Sequence, residues 1–258
     1  MNDKLIRLWA TKNKDDEWWS SFITSPLAIA VNYVVVDIKF LTPNKITIIS
    51  FIVACMSAVF IILGSTMNFI IAATLIQLSH ILDCMDGQMA RYRNTPSAFG
   101  SFIDKVTDQV QVIIWFGSVS YTAYIQSQSV LPIFLAFIGV SFYSLRGYIK
   151  YLSVYTAIHS DSNFLEKKKQ KILVAQNEPT AGLGFDIFSN LKWFVTEQRK
   201  IFLFDEGVFI FMLSLSLIFN TLIPMLWVFA ISQMFYGIVR GFQRGLEIER
   251  NLKIDIQK

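Results

Sequence analysis

Apolar positions in this chain gather into long unbroken runs separated by short polar breaks, not into the half-buried periodicity of a soluble helix or strand. Residues 1–20 are polar and close on Trp18-Trp19, an aromatic pair suited to the headgroup zone of a bilayer. Pro26 to Phe40 predicts an amphipathic helix lying on the membrane surface. Thr42-Pro43-Asn44 then opens a first span, with Thr42 as capping residue and Pro43 at the first helical position; the run Ile46 to Leu63 ends at Gly64. Further runs cover Asn68 to Tyr92, Phe99 to Ile125 and Leu131 to Ile158. A polar stretch from His159 to Lys200 follows, and two last runs, Phe204 to Phe219 and Ile223 to Arg240, flank Asn220-Thr221-Leu222. A hydrocarbon core about 30 Å thick asks for roughly 20 apolar residues per helix, which these runs approach. The expectation is an all-α integral membrane protein of six transmembrane helices behind an N-terminal amphipathic surface helix. Its parts are a segment over 1–41, a membrane bundle over 42–245 with a loop at 159–200, and a tail over 246–258. There is no internal repeat.

Composition sharpens this picture. Hydrophobic residues make up 53% and charged residues only 16% of 258, with a mean hydropathy of +0.47, whereas a soluble domain carries about a quarter charged residues. The first twenty residues hold eight charges and no apolar core, unlike a cleavable signal. Cys55 and Cys84 both fall inside apolar runs and suggest neither a disulfide framework nor a zinc site. The net charge of +4 carries less information than its placement, and no nucleic-acid partner is expected. Connections 64–68, 123–130 and 219–223 contain no Lys or Arg, while the basic residues collect at both termini, the 91–98 turn and the 159–200 loop. Cytoplasmic segments retain Lys and Arg, so the termini and the acid-bearing helix ends are expected on the cytoplasmic side.

Those acids are the informative feature. Asp83, Asp86, Gly87 and Ala90 share a helical stripe about 100° wide near the end of the second run. Gly100, Asp104 and Asp108 form a second stripe at the start of the third, and Asn94 to Ser97, with Pro96, is a turn that lets the two helices run antiparallel. Facing stripes would bring four carboxylates around one small volume. Each ionised Asp costs roughly 2.5–3.5 kcal/mol at the centre of a span, and mutual repulsion adds to that. Hard divalent cations, Mg²⁺ or Mn²⁺, resolve the conflict, and their usual work in such a site is phosphoryl chemistry. Small residues in membrane helices more often serve close helix packing, but on this acidic face they also leave room for a bulky nucleotide. Arg91 offers a fork to a phosphate, or anchors the helix end. Eight fixed positions at about 5–7% usage each coincide by chance on the order of 10⁻¹⁰ per starting point.

The pattern Asp83-x2-Asp86-Gly87-x2-Ala90-Arg91-x8-Gly100-x3-Asp104-x3-Asp108 resembles, at every position, the signature of the CDP-alcohol phosphotransferase family (class I CDP-alcohol phosphatidyltransferases). Pro43-Asn44 with Thr47 is similar to that family's opening of the first span. The resemblance implies a homodimeric six-helix enzyme of phospholipid biosynthesis with a polar cavity open to the cytoplasm. Asp83, Asp86, Asp104 and Asp108 would hold metal, two ions per site in that family's manner, with Asp108 also the general base. Gly87, Ala90, Arg91 and Gly100 would contact or make room for the CDP moiety. Asn44 and Thr47 either reach the nucleotide or simply begin a helix. An acceptor alcohol would attack the phosphorus distal to cytidine and release CMP. CDP-diacylglycerol is the favoured donor, and the alternative is CDP-choline or CDP-ethanolamine acting on diacylglycerol. Ile46 to Phe60 carries no charge, unlike the bacterial glycerophosphate and serine enzymes, which leans toward an inositol-type or amino-alcohol acceptor.

Other signals are weaker. Arg146 with Lys150, and Arg240 with Arg244, repeat a four-residue spacing; either pair lines a pocket for a phosphorylated alcohol or anchors topology. Lys167-Lys168-Lys169 and Lys171 suit anionic headgroups. His80, one turn before Asp83, is a packing histidine or supports the site. From a different class, a cation transporter would use the acids as an ion path.

Overall fold

Breakers in the sequence set the helix ends. The computed structural model describes residues 3–13, 17–160, 164–166, 169–170, 187–198 and 205–256. Helix α1 (Asp3–Trp9) precedes a π-type turn (Ser20–Thr24) that runs directly into α2 (Ser25–Val35). There follow α3 (Pro43–Leu63), α4 (Thr66–Tyr92), α5 (Ala98–Ser127), α6 (Leu131–Ser160), α7 (Ile187–Gln198), α8 (Glu206–Ile218) and α9 (Leu222–Ile256). No strand occurs among the described residues.

Pro43 opens α3 as expected, and Gly64 closes it with φ +66°, the left-handed conformation that glycine adopts without penalty. Thr42 is the residue before the helix, but its hydroxyl makes no capping bond. Its own carbonyl accepts from the Lys45 and Ile46 amides, so the amide a side-chain cap would serve is already taken. Real caps are Ser65, whose hydroxyl accepts from the Asn68 amide, and Ser97, whose hydroxyl accepts from the Gly100 amide at 2.9 Å.

Helix α4 is the hub, packing on α2, α3 and α8, while α5 packs on α3 and α6, and α6 on α9. The core joins Phe69, Ala73 and Ile76 of α4 to Val112, Trp115, Phe116, Val119 and Ala123 of α5 and to Phe209 and Phe229. Phe116 and Phe229 stack with ring centroids 3.6 Å apart, and Trp115 Nε1 donates to Ser57 Oγ at 2.8 Å. On both helices the acids continue the apolar stripe: Phe69, Ala73 and Ile76 lead to Asp83 and Gly87, and Asp104 and Asp108 lead to Val112, Trp115, Val119 and Ala123.

A second cluster, containing Leu8, Ala28, Ile29, Ile46, Met85 and Met89, fastens the N-terminal helices to the acidic end of α4. Asn32 Nδ2 donates to the Met85 carbonyl at 3.0 Å and to Gln88 Oε1 at 3.2 Å. Helix α2 ends at Val35, short of the expected Phe40, because the chain beyond it is held otherwise. Arg93 donates to the Val36, Ile38 and Leu41 carbonyls at 2.6–2.9 Å.

Among the described residues, four helices are long and apolar enough to cross a membrane: α3, α4, α6 and α9. Helix α5 has 30 residues but is polar over its first third. Helix α8 is apolar but has 13 residues, rising roughly 20 Å, less than a bilayer core. The protein is therefore an all-helical, multi-pass membrane protein. Helix α9 runs past the expected end at Arg240 to Ile256, since Gly241 and Gly245 lower helix propensity without breaking the helix. Lys167, Lys168 and Lys171, most of the 159–200 loop and Phe204 lie outside the described residues.

Candidate active site

The antiparallel turn between α4 and α5 does what the spacing predicts. One carboxylate oxygen from each of Asp83, Asp104 and Asp108 lies within 4.8 Å of the others. Asp86 is buried beside them and accepts a hydrogen bond from Thr47 Oγ1. Asp83 Oδ1 and Asp108 Oδ1 are buried with no hydrogen-bond partner. Lys105 Nζ stands 2.8 Å from Asp104 Oδ2 and 2.8 Å from Asp108 Oδ2, a single cation among four acids. Converging carboxylates with orphaned oxygens are what a bound cation would satisfy, so the acidic cluster fits a metal.

The cluster borders a cavity of about 650 Å³, and every one of the eight signature positions lines it, with Asn44, Thr47 and Lys150. Close packing explains two of the small residues. A Cβ on Gly100 would stand 2.6 Å from Asn44 Oδ1 and 2.8 Å from Ser97 Oγ, so Asn44 occupies the space a side chain would need. A Cβ on Gly87 would stand 3.2 Å from a terminal nitrogen of Arg91, whose guanidinium lies across the glycine. Arg91 also donates from Nε to the Thr11 carbonyl at 2.7 Å, tying the N-terminal segment to the cavity wall.

The four basic residues expected near an acceptor separate. Lys150 reaches the cavity. Arg146, one turn earlier, donates to Gln233 Oε1 at 2.6 Å and to Asp205 Oδ1 at 3.2 Å. Arg244 pairs with Glu247, Arg240 is exposed, and neither is among the cavity's described walls. Glu17, Ser20, Lys105, Asp205 and Glu206 line it too, and the sequence reading had not singled them out. The available signal was the Asp205-Glu206 pair placed directly before an apolar run.

The sequence profile of the CDP-alcohol phosphatidyltransferase family matches residues 40–175, more than half of the chain. The chain belongs to that family. A bifunctional IPC transferase and DIPP synthase of Thermococcus kodakarensis is 30% identical over 100 residues, 39% of this chain and 22% of the relative. An archaetidylinositol phosphate synthase of Methanothermobacter thermautotrophicus is 37% identical over 70 residues, 27% of this chain and 34% of that protein. The alignments thus span about a fifth to a third of these curated relatives. In fold, the chain is similar to the crystal structure of Mycobacterium tuberculosis phosphatidylinositol phosphate synthase with CDP-DAG bound. That likeness has a TM-score of 0.50 at 17% identity and covers 88% of this chain and 93% of the other.

Proposed function

We propose that this chain is a metal-dependent CDP-alcohol phosphotransferase that moves a substituted phosphate from CDP-diacylglycerol to the hydroxyl of an alcohol and releases CMP. The observation that carries the reading is the convergence of the whole signature on one cavity, with Asp83, Asp104 and Asp108 within mutual reach. Asp83, Asp86, Asp104 and Asp108 are the residues to hold two ions, Mg²⁺ or Mn²⁺. Such ions, when bound, neutralise the pyrophosphate and the departing CMP.

The chain's own residues do the rest. Thr47 orients Asp86 through its hydroxyl. Gly87 and Gly100 make room for the Arg91 and Asn44 side chains, which thereby edge the cavity where the nucleotide enters. Asp108 takes the proton of the acceptor hydroxyl at its carboxylate. The acceptor oxygen then bonds to the phosphorus distal to cytidine as the bond from that phosphorus to the bridging oxygen breaks. Lys105, between Asp104 and Asp108, lowers the repulsion between them before and after that proton moves.

The arrangement is one of six crossings, with α5 and α8 completing the bundle, the cavity facing the cytoplasm and two chains forming a homodimer. The Lys and Arg distribution supports the orientation, and the family resemblance supports the rest. For the acceptor, the relatives' names favour inositol phosphate chemistry, with Lys150 the residue placed to meet a phosphate. Transfer from CDP-choline or CDP-ethanolamine to diacylglycerol is the alternative. The cation-transporter reading loses its ground, since the signature and the family match leave the acids explained without an ion path.

Detergent-purified protein incubated with CDP-diacylglycerol and a panel of alcohols tests the proposal, with CDP-choline or CDP-ethanolamine plus diacylglycerol as the other arm. One donor–acceptor combination is expected to release CMP. Absence of CMP from every combination, in protein shown to be folded, would overturn it.

A further inference from the structure

A second convergence of ligand atoms lies beside the quartet. One ring nitrogen of His80 and one carboxylate oxygen each of Asp83 and Glu206 lie within 4.8 Å of one another. His80 and Asp83 stand one turn apart on α4, while Glu206 opens α8, so the group joins two helices that already pack together. All three residues line the cavity.

Hydrogen bonding fixes which nitrogen of His80 is available. Glu17 accepts from the Trp19 amide at 2.7 Å and the Ser20 amide at 3.0 Å, and also takes the Ser20 hydroxyl proton. With that proton committed, Ser20 Oγ is an acceptor toward His80 Nε2, 2.9 Å away, and Nε2 must carry the ring N–H. The other nitrogen, Nδ1, then presents a lone pair. It is buried without a partner, on a side chain only 6% exposed, and Asp83 Oδ1 is orphaned as well. His80 Nδ1 and Asp83 Oδ1 are thus both buried without a donor, in a group whose third member is the Glu206 carboxylate. A ring whose far N–H is oriented through a serine by a carboxylate is the arrangement that metal-binding histidines use.

We propose that His80, Asp83 and Glu206 form a further divalent-cation site, distinct from the aspartate quartet except for the shared Asp83. Its nitrogen ligand selects an ion of the Zn²⁺, Co²⁺ or Mn²⁺ class over Mg²⁺, which prefers oxygen. The site clamps the start of α8 to α4, and through Ser20 and Glu17 it also holds the N-terminal segment against the cavity. It does not depend on the transfer reaction being correctly assigned.

The test uses the full chain, purified in detergent, stripped with chelator and titrated with Co²⁺ in excess Mg²⁺. The expected result is one Co²⁺ ion whose visible absorption reports nitrogen ligation. Its dissociation constant should rise about tenfold or more in His80→Gln and in Glu206→Gln, and stay unchanged in the Asp104→Asn/Asp108→Asn double variant. Pulsed EPR of Mn²⁺ on the unaltered chain should show coupling to one imidazole nitrogen, a readout that needs no variant to fold. No Co²⁺ uptake, complete displacement by Mg²⁺, equal affinity in His80→Gln, or no nitrogen coupling would each overturn the proposal. Co²⁺ uptake by a chain that releases no CMP supports this site while counting against the transfer reading.

Discussion

Asp108 and Asp83 each keep a buried oxygen without a partner, yet their proposed tasks differ, and substitution separates them. Asp108→Asn keeps the shape and removes the base, so turnover should fall about 100-fold or more while CDP-donor affinity changes by a few-fold at most. Single-turnover CMP release alongside equilibrium nucleotide binding checks this, and full turnover in the variant would show that another group takes the proton. Gly100→Ala tests the packing argument. Its methyl would meet Asn44 Oδ1 at 2.6 Å and Ser97 Oγ at 2.8 Å, forcing both away and disturbing the α5 cap. Overpacking of this kind destabilises by about 1–3 kcal/mol, seen as a lower unfolding midpoint in detergent and a higher KM for the donor. The signature was legible in the sequence because acids inside apolar stripes are expensive and demand a reason. Glu17 and Glu206 were not: an acid at the start of a helix already has an explanation in the helix dipole, and only the fold shows that both face the cavity.

Among the elements, the α4–α5 turn and the segment after α2 are linked by one side chain. Arg93 makes four hydrogen bonds to three carbonyls beyond α2, holding that strap against the end of the acidic helix. Arg93→Met retains most of the length and loses all four, and should destabilise by about 3 kcal/mol. Hydrogen exchange is expected to rise over 36–42 with little change in α6 and α9. A uniform rise throughout would mean that the strap is not a local unit. Element boundaries were legible where a residue changes the backbone: Pro43 and Gly64 bound α3 as the sequence predicts. They were illegible where a tertiary contact decides. Nothing local announces that Arg93 draws residues 36–41 out of the helix, and the drop in hydropathy at Arg240 marks the end of an apolar run, not of α9.

For the whole molecule, assembly in lipid and dependence on metal are the exposed consequences. EDTA should abolish CMP release and excess Mg²⁺ or Mn²⁺ should restore it, with helix content by circular dichroism unchanged. Activity that survives exhaustive chelation would remove the aspartate quartet from the chemistry. Hydropathy along the sequence reads as six spans, whereas four helices among the described residues are long and apolar enough to cross a membrane. Asp104, Lys105 and Asp108 make the first third of α5 polar, so a helix that carries half of the acidic cluster looks unlike a membrane span. Deeper in the same helix, Val112, Trp115, Val119 and Ala123 are locked into the core on the face that Asp104 and Asp108 share. This greasy keel therefore sets the azimuth of the acids above it. Slipping one extra alanine between Gln111 and Val112 would swing Asp104 and Asp108 by about 100° around the axis, with every charged residue retained. Such a variant should insert and stay helical yet release no CMP, whereas one extra alanine at Ser129, beyond the keel, should leave the rate intact. Aim, and not inventory, is what the apolar half of α5 supplies to the polar half.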